Sequence, residues 1–311
     1  MSERKVLNSK LLPLVSIVIP TYNHANFLGK ALKSLLDQTY KNWEALVIDN
    51  KSFDDTVNVI KKFKDPRIKY FKISNKGIIA KSRNLGIKAS RGKWVAFLDS
   101  DDWWTKDKLE VCLKNIDKKI NFIYHDLEIV YDKSNSYLKR KKNIGRRLNK
   151  PILKDLLIGG ITKGSAIGNS SVIVRKTMLS KVGGIRENKS LVASEDYNTW
   201  LRIAQITDQF KYLQRKLGYY LIHDRSIQKK NLSIPHRKAV EEFMELLNRQ
   251  QRLDLEVKLK YMSANYNSSK KNYKKAKKEF IFVFNNGDLN FKLRSLLKIF
   301  IIMLRKIYKI K

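Results

Sequence analysis

Three carboxylates follow a short apolar run about a third of the way along the sequence. Asp99, Asp101 and Asp102, interrupted by Ser100, come directly after residues 94–98. Like charges this close repel one another, and a divalent cation removes that repulsion. Carboxylate oxygens suit Mg²⁺ or Mn²⁺, which usually leave coordination positions to water and phosphate oxygens. The pattern therefore indicates a site for a metal-bound diphosphate, and an acid-rich turn is the simpler alternative.

Further side chains that could do chemistry lie elsewhere in the chain. Glu195 and Asp196 follow Ser194, a good N-cap residue, and begin a helical pattern. Adjacent helical residues point about 100° apart, so only one of these acids can act as a general base; alternatively, both only favour the helix dipole. His223 ends an apolar strand and is a structural residue, a metal ligand or a phosphate donor. Arg83, on a short predicted helix, has the pattern of a surface arginine.

The elements that must position these residues alternate between strands and helices over residues 14–104. The β-branched run at residues 15–19 predicts a buried strand, and apolar residues from Leu28 to Leu36 recur at helical spacing after Asn26, a candidate N-cap. Strands are predicted at 43–49, 67–73 and 94–99, and helices at 56–63 and 79–89. This order predicts an α/β fold with a mostly parallel sheet. Ligands bind beyond the carboxyl ends of such strands, where Asp49 and Asp99 lie.

The composition is strongly basic, with 65 Lys and Arg against 29 Asp and Glu and a net charge of +36. Such an excess indicates a polyanionic neighbour: nucleic acid, an anionic membrane or a phosphorylated ligand. Residues 133–150 contain eight basic residues and no acid, which is typical of a solvated loop or of a mobile cover over a phosphorylated ligand. We expect no nucleic-acid partner, because zinc-ligand spacing, helix-turn-helix signals and RNA-stacking motifs are missing.

The chain contains no uninterrupted apolar run of the roughly 18 residues that span a membrane. Residues 11–19 contain Pro13 and end at Pro20, which predicts a strand rather than a signal peptide. The single cysteine, Cys112, cannot form an intramolecular disulfide and favours a reducing compartment. We therefore expect a cytoplasmic protein.

The last 21 residues predict an amphipathic helix. One stripe is apolar and another is basic, formed respectively by Leu293, Leu296, Leu297, Phe300, Ile301, Leu304 and Tyr308, and by Arg294, Lys298, Arg305 and Lys309. Such a helix either lies in the headgroup layer of an anionic membrane or packs against the protein itself. The first alternative would make the protein peripheral on the inner face of the cell membrane.

Ordered blocks between residues 13 and 228 resemble those of the family 2 glycosyltransferases. The blocks are Pro13 to Asn23, Val47-Ile48-Asp49 with Ser52 and Asp54-Asp55-Thr56, Arg83-Asn84-x-Gly86, Phe97 to Asp102, Gly183-Gly184, Ser194-Glu195-Asp196 through Arg202, and Tyr220-x-x-His223 with Ser226. The resemblance implies the GT-A fold and transfer of a sugar, with inversion, from a nucleotide-diphosphate donor. It implies a UDP-sugar, or a thymidine nucleotide as the alternative, and a saccharide or lipid-linked acceptor, as in bacterial surface polysaccharide assembly. Because the Q-x-x-R-W pattern of processive synthases is missing, we expect one sugar per acceptor.

The resemblance also implies a role for each matching residue. Pro20, Thr21, Tyr22 and Asp49 would hold the base with Arg83 beside it, Asp99 would meet the ribose, Asp101 and His223 would hold Mn²⁺ or Mg²⁺, and Asp196 would accept the proton of the acceptor hydroxyl. The chain departs from the family in having Asn50 and Lys51 where a second acid and a glycine usually follow the first aspartate. The geometry of that turn is therefore open.

These observations predict a GT-A domain over residues 1–230 and a basic helical extension over residues 231–311. Membrane association is one of the two alternatives for that extension. Two alternatives remain: a nucleic-acid-binding protein, on charge alone, and a sugar nucleotidyltransferase, which would release diphosphate from a nucleoside triphosphate. A dinucleotide-binding oxidoreductase is disfavoured, because no G-x-G-x-x-G follows the first strand.

Overall fold

The computed structural model describes residues 13–132, 156–163, 167–224, 226 and 230–307. The predicted basic loop at 133–150 lies outside these residues. Two compact units are formed. The first, called the sheet unit, comprises the described parts of Met1–Pro151, Ile167–Lys189 and Ile206–His223, and the second, the helical unit, those of Ile152–Ala166, Ser190–Gln205 and Asp224–Lys311. The predicted end of the GT-A domain at residue 230 stays a prediction, because these compact units are defined by contacts and not by catalytic function.

The sheet unit is built around an eight-stranded sheet in the described residues. Its strands are β1 (Val15–Thr21), β2 (Trp43–Asp49), β3 (Ile68–Lys72), β4 (Trp94–Phe97), β5 (Trp103–Trp104), β6 (Phe122–Tyr131), β7 (Ile173–Arg175) and β8 (Phe210–Ile222), in the spatial order β3-β2-β1-β4-β7-β6-β8-β5. Strands β3, β2, β1 and β4 run parallel, as do β6 and β8, whereas β7 and β5 pair antiparallel with their neighbours. The predicted α/β architecture with a mostly parallel sheet is confirmed.

The α-helices of the described chain divide between the two units. The sheet unit contains α1 (Ala25–Leu36), α2 (Thr56–Lys61), α3 (Ile79–Ala89), α4 (Lys108–Lys114) and α6 (Lys176–Lys181); the helical unit contains α5 (Leu156–Lys163), α7 (Glu195–Ile206), α8 (Ser233–Val240), α9 (Arg249–Ser269), α10 (Tyr273–Asn286) and α11 (Leu289–Ile307).

The core of the sheet unit explains why β1 is almost continuously apolar. Every residue of β1 is buried, as expected for a central strand of a parallel sheet covered on both faces. Leu28, Leu32 and Leu35 of α1 recur at helical spacing and are fully buried in the same cluster. Burying each such side chain contributes about 1.5–3 kcal/mol, so this packing fixes α1 over the sheet.

The N-terminus of α1 differs from the prediction. Asn26 was predicted as the cap but lies inside the helix and is exposed, because the helix already begins at Ala25. The backbone N–H of Ala25 donates to the Asp54 carboxylate at 3.0 Å. This carboxylate comes from the loop after β2, and so the local sequence around residue 26 gave no signal for it.

Strand register brings the predicted site residues to one edge of the sheet. β1 and β2 pair Thr21 with Asp49, and β1 and β4 pair Val18 with Phe97, two residues before Asp99. The chain then turns into β5, which pairs antiparallel with β8. His223 follows the last residue of β8. Because β5 pairs with β8, His223 lies close to the acids that precede β5 in the chain.

The helical unit has its own apolar clusters. Helix α9 begins with a capping box, in which Asn248 Oδ1 accepts from the Gln251 N–H and the Gln251 side chain accepts from the Asn248 N–H, both at 2.9 Å. Ala264 of α9, Ala276 and Phe280 of α10, and Ile302 of α11 form one buried cluster. The last three helices therefore pack on one another through small and apolar residues.

Candidate active site

Asp49, at the end of β2, is fully buried and held by hydrogen bonds from two directions. Its Oδ1 accepts from the Ser52 N–H at 3.0 Å and from the Ser52 hydroxyl at 2.5 Å. Its Oδ2 accepts from the Tyr70 hydroxyl at 2.9 Å. Burial and the bond to Asp49 raise the pKa of Tyr70 to about 12, so Tyr70 remains a donor. The orientation of the carboxylate is thereby fixed.

The turn after Asp49 contains the two residues that depart from the family pattern, Asn50 and Lys51. Lys51 has φ of 53°, which lies in the left-handed region that glycine adopts without strain. Asn50 stabilises the turn through its side-chain oxygen, which accepts from the Asn75 N–H at 2.8 Å. The question left open by the sequence is thus answered: the lysine takes the backbone conformation that suits glycine.

The end of β1 offers a polar atom and an aromatic ring beside Asp49. Pro20 and Thr21 are buried in the strand, and among the described residues the Thr21 hydroxyl oxygen is buried without a hydrogen-bond partner. Because native proteins rarely leave such atoms unpaired, this hydroxyl indicates a place for a ligand. Tyr22 is half exposed, and its ring meets the exposed ring of Phe53 edge-on, with centroids 6.2 Å apart.

Arg83, in the middle of α3, and Asp99, just after β4, form an ion pair. Arg83 is only 3% exposed, and its guanidinium donates to Asp99 Oδ1 at 2.9 Å. Asn169 donates to the same oxygen at 3.0 Å. Since Oδ2 of Asp99 is not used in these bonds, the carboxylate can accept from a ligand hydroxyl while Arg83 balances its charge.

The remaining residues of the Arg83-Asn84-x-Gly86 block hold α3 in place. Asn84 donates to the Ile185 carbonyl at 2.7 Å and accepts from the Ile185 N–H at 2.9 Å. A side chain at Gly86 would place its Cβ 2.5 Å from Val18 Cγ1 of β1. Gly184 has φ of 74° and lies against the Asn84 side chain. Asn84 thus anchors α3, and Gly86 allows the helix to lie close to β1.

Asp101 and His223 are in direct contact. Nε2 of His223 lies 3.0 Å from Oδ2 of Asp101, and His223 is buried whereas the Asp101 side chain is 21% exposed. The ring of Phe27, from α1, lies 4.6 Å from the His223 ring. The pair thus presents a partly exposed carboxylate backed by a histidine whose ring is held in place.

A second histidine lies beside this pair. The His24 ring packs edge-on against His223, with centroids 5.9 Å apart, and its Nδ1 forms a hydrogen bond of 2.8 Å with the Ser100 hydroxyl. Burial lowers the pKa of His24, although the nearby carboxylate of Asp101 opposes the shift. His24 therefore helps to position Ser100, the residue between the two predicted ligand-binding acids.

Asp102 is the last residue of the acid run, Asp99-Ser100-Asp101-Asp102, and its carboxylate is bonded to the protein itself. Asp102 is buried, accepts from the Leu221 N–H at 3.0 Å and from the Ser170 hydroxyl at 2.5 Å. Burial, followed by the charges of Asp101 and Asp99, raises the pKa of Asp102 well above its ordinary value. Asp102 therefore ties the acid run to β8 and to the turn at Asn169–Ser171.

Asp101 and His223 together fit a divalent cation that also binds oxygen atoms of a substrate. No group of three or more His, Cys, Asp and Glu side chains that could hold a metal occurs in the part of the chain that the structure describes. Asp101 and His223 nevertheless supply an oxygen and a nitrogen close together. Asp101 supplies the carboxylate oxygen that suits Mg²⁺ or Mn²⁺, and waters and substrate phosphates can occupy the remaining positions around such an ion.

In the helical unit, the two adjacent acids at the start of α7 have different environments. The Glu195 carboxylate is buried and accepts from the N–H groups of Ala193 and Ser194 at 2.7 and 3.1 Å. Ala193 has φ of 78°, so Glu195 stabilises a tight turn before the helix. This leaves Asp196 as the acid of the pair that suits a chemical role.

Asp196 is half-buried in the first turn of α7, where its Oδ1 accepts from the Tyr197 N–H at 2.7 Å. The Ser194 hydroxyl, predicted to cap this helix, instead forms a hydrogen bond of 2.7 Å with His236 Nδ1. The other predicted site residues belong to the sheet unit, so the structure brings them together along one sheet edge and describes Asp196 within the helical unit.

Sequence reasoning missed the side chains that support these acids. Asn169 and Ser170 bond Asp99 and Asp102 from about 70 residues away, and His24 bonds Ser100 from 76 residues away. A cluster of small polar residues at 168–171 was a weak signal for a turn. The sequence carried no signal that this turn would bond to Asp99 and Asp102, or that His24 would bond to Ser100.

Comparison with known proteins identifies the family. A model described as glycosyl transferase family 2 matches residues 16–176. Two Escherichia coli proteins named as UDP-Glc:alpha-D-GlcNAc-diphosphoundecaprenol beta-1,3-glucosyltransferases are similar to this chain: WfgD, 34% identical over 61% of this chain and 69% of WfgD, and WfaP, 31% identical over 69% of this chain and 79% of WfaP. An uncharacterized glycosyltransferase of Rickettsia conorii is 51% identical over 35% of this chain, but this chain spans only 18% of that protein.

Solved structures show the same architecture at low identity. TarS 1–349 of S. aureus in complex with UDP-GlcNAc matches with a TM-score of 0.62 and 20% identity, over 88% of this chain and 79% of that one. The mannosyltransferase PcManGT from Pyrobaculum calidifontis, in complex with GDP-Man and Mn²⁺, matches with a TM-score of 0.58 and 15% identity, over 94% of this chain and 81% of that one. The fold is the predicted GT-A fold. Since the family model covers more than half of the sequence, the chain belongs to glycosyltransferase family 2.

Proposed function

We propose that this chain transfers a single sugar, with inversion, from a nucleotide-diphosphate sugar to a saccharide or lipid-linked saccharide acceptor. The observation that carries the proposal is the placement of three groups along one sheet edge: Asp49, the Arg83–Asp99 pair and the Asp101–His223 pair. Family membership supports the reaction class. The donor we propose is a UDP-sugar.

The nucleoside would bind at the ends of β1 and β2. A uracil ring offers one N–H donor and two carbonyl acceptors, and the fixed carboxylate of Asp49 has lone pairs to accept from that N–H. The buried Thr21 hydroxyl would gain the hydrogen-bond partner that it lacks among the described residues. Pro20 and Tyr22 complete the base site, Arg83 lies beside it, and Asp99 would accept from a ribose hydroxyl.

The diphosphate would lie next to Asp101 and His223, which would hold Mn²⁺ or Mg²⁺. When bound, such a cation stabilises the negative charge that develops on the β-phosphate as it leaves. The chain's own contribution is to keep the two ligands in position, because Phe27 packs against the His223 ring. The complex of PcManGT with GDP-Man and Mn²⁺ supports this choice of metal.

Asp196 would act as the general base. Its carboxylate takes the proton from the acceptor hydroxyl while that oxygen bonds to the anomeric carbon and the bond to the leaving phosphate breaks. Attack from the face opposite the leaving group inverts the anomeric centre. General-base catalysis of this kind contributes about 10²–10⁴-fold to the rate.

The similar E. coli proteins, whose names specify a GlcNAc-diphosphoundecaprenol acceptor, support the proposed acceptor class. We extend to this chain the broader class, a saccharide linked to a lipid diphosphate, as used in the synthesis of bacterial surface polysaccharides. One sugar is added per acceptor, because the motif of processive synthases is missing.

Two substitutions test the assigned roles. We expect Asp196→Asn to lower turnover about 10²–10⁴-fold with donor binding retained, and Asp101→Asn to abolish both transfer and the manganese-dependent thermal stabilisation by UDP. Asp254→Asn and Asp37→Asn change exposed aspartates of the helical and sheet units and should leave both readouts unchanged. Wild-type turnover in Asp196→Asn would refute the base, and retained manganese-dependent stabilisation in Asp101→Asn would refute the metal ligand.

A panel of nucleotide sugars, assayed for thermal stabilisation in the presence of Mn²⁺, identifies the donor. A ligand at 100 times its Kd adds about 2.7 kcal/mol to stability, which a melting curve resolves easily. Release of diphosphate from a nucleoside triphosphate would instead indicate a sugar nucleotidyltransferase. Tight duplex or single-strand binding with a steep salt dependence would favour the nucleic-acid alternative.

A further inference from the structure

Helix α11 exposes an unusual number of large apolar side chains. Leu289, Leu293, Leu296, Leu297, Phe300 and Met303 have exposed fractions from 46% to 72%. At about 100° per residue, these six positions fall within an arc of about 120° on the helix surface. They therefore form one continuous stripe, which we call the α11 apolar face. Exposed apolar surface that is contiguous marks an interaction site.

A different side of α11 holds the helix on the protein. Ser295 is fully buried and Ile302 is 4% exposed, and Ile299 packs against the cluster that contains Ala276 and Phe280 of α10. The sequence interpretation in which this segment packs on the protein thus applies to one side of the helix. The α11 apolar face is not the packing side.

Cations flank the α11 apolar face, and the helix contains no acid. Lys292 lies about 20° beyond one edge of the apolar arc and Arg294 about 60° beyond the other, whereas Arg305 and Lys298 lie about 80° and 100° beyond that second edge, towards the opposite side of the helix. Long basic side chains at such positions can reach phosphate groups while their neighbours contact apolar material. Apolar centre and basic flanks complement the surface of an anionic lipid bilayer.

We propose that the α11 apolar face docks on a membrane surface that contains anionic lipids. The apolar side chains enter the boundary between headgroups and acyl chains, and the flanking cations contact lipid phosphates. The helix lies in the plane of the membrane, since no helix in the described residues combines the length and apolarity needed to cross one. A second copy of this chain fits less well, because it would bring the same basic flanks together.

The test measures co-sedimentation of the full chain with phosphatidylcholine vesicles, with and without 30% phosphatidylglycerol. We expect binding to the anionic vesicles and at least tenfold weaker binding for Leu293→Gln/Phe300→Gln, with glutamine chosen for its good helix propensity. Ile234→Gln/Leu246→Gln is the matched control, because these residues are 68% and 49% exposed in the same unit. It should bind as wild type does.

A second pair of variants separates charge from apolar contact. Lys292→Gln/Arg294→Gln should bind anionic vesicles about thirtyfold more weakly, since each cation near the surface contributes about 1 kcal/mol. Lys41→Gln/Lys62→Gln removes two exposed lysines of the sheet unit as the control. Circular dichroism shows whether each variant is folded.

Three results would overturn the proposal: no binding of the wild-type chain to anionic vesicles, equal losses in the α11 and control pairs, or a dimer in analytical ultracentrifugation that Leu293→Gln/Phe300→Gln dissociates without any vesicle binding. The last would show that a second copy covers the face. The measurement uses neither donor nor acceptor, so its outcome is independent of the proposed reaction.

Discussion

Within four residues, the acid run at the end of β4 gives each carboxylate a different environment. Asp99 pairs with Arg83, Asp101 contacts His223, and Asp102 is buried with bonds from β8 and the turn at Asn169–Ser171. Separate partners reduce the cost of placing like charges together. The run therefore contains two acids proposed to bind the donor and its metal and one acid held by structural bonds, a distinction that spacing alone did not reveal.

Lys51 is the residue where a departure from the family pattern has a measurable cost. A left-handed backbone costs an L-residue about 1–2 kcal/mol, whereas glycine pays about 0.4–1 kcal/mol in unfolded-chain entropy. We therefore expect Lys51→Gly to raise the free energy of unfolding by about 0.5–1 kcal/mol in urea titrations. Lys88→Gly, at an exposed position of α3, should lower the free energy of unfolding by about 1 kcal/mol. Equal destabilisation by both would show that residue 51 is not strained.

The positions of individual residues were predictable from sequence where a motif was local. Asp49 and Asp99 lie at the predicted sheet edge because strand patterns and β–α order fix where strand ends lie. Asn169, Ser170 and His24 were not predictable as partners of the acids, because they arrive from other segments and hydrogen bonding by Ser and Asn is common to many turns. Their roles depend on tertiary contacts.

At the scale of elements, α3 positions Arg83 by lying unusually close to β1. The approach depends on Gly86, where a Cβ would come within 2.5 Å of Val18 Cγ1. Gly29, in α1, provides a natural comparison, since its Cβ would meet Val59 Cγ1 at an ordinary 3.7 Å. Two helical glycines thus differ in whether packing requires them.

We expect Gly86→Ala to lower the free energy of unfolding by about 1–3 kcal/mol through overpacking. Gly29→Ala should raise it by about 1 kcal/mol, because alanine is the better helix former. Val18 is fully buried, so Val18→Ala is destabilising in itself. In that background Gly86→Ala should cost less than in wild type, and a double-mutant cycle in urea measures the coupling. Strict additivity of the two substitutions would contradict the proposed contact.

Periodicity predicted the elements better than their ends or partners. The helix at 79–89 and the strand at 43–49 have the predicted bounds, because apolar spacing reports burial directly. The antiparallel additions β5 and β7 were not predicted, since strands of two and three residues are too short to show a period. The start of α1 was missed because its cap comes from another loop.

At the scale of the whole molecule, a net charge of +36 coexists with buried basic groups that hold their protons less tightly than exposed ones. Burial lowers the pKa of Lys108 and Lys258 to about 7. It also lowers the pKa of His125, in the sheet unit, and of His236, in the helical unit, to about 3. Each unit therefore contains a histidine that is neutral at pH 7 and resists protonation.

These histidines predict how stability depends on pH. Because their pKa in the folded state lies below the ordinary 6.5, the unfolded chain takes up protons first as the pH falls. Their stabilising contribution is therefore present above about pH 6.5 and is lost progressively towards pH 3. Between pH 7.0 and 5.5, each should reduce the free energy of unfolding by about 1 kcal/mol.

The variant His236→Asn isolates one of the two contributions. Asparagine can still hydrogen-bond the Ser194 hydroxyl but does not titrate, so we expect this variant to lose about 1 kcal/mol less than wild type between pH 7.0 and 5.5. Urea unfolding at constant ionic strength measures the difference, with Lys41→Gln as an exposed control that should follow wild type. Identical losses in His236→Asn and wild type would mean that His236 is already accessible to protons in the folded chain, which its burial and its bond to Ser194 argue against.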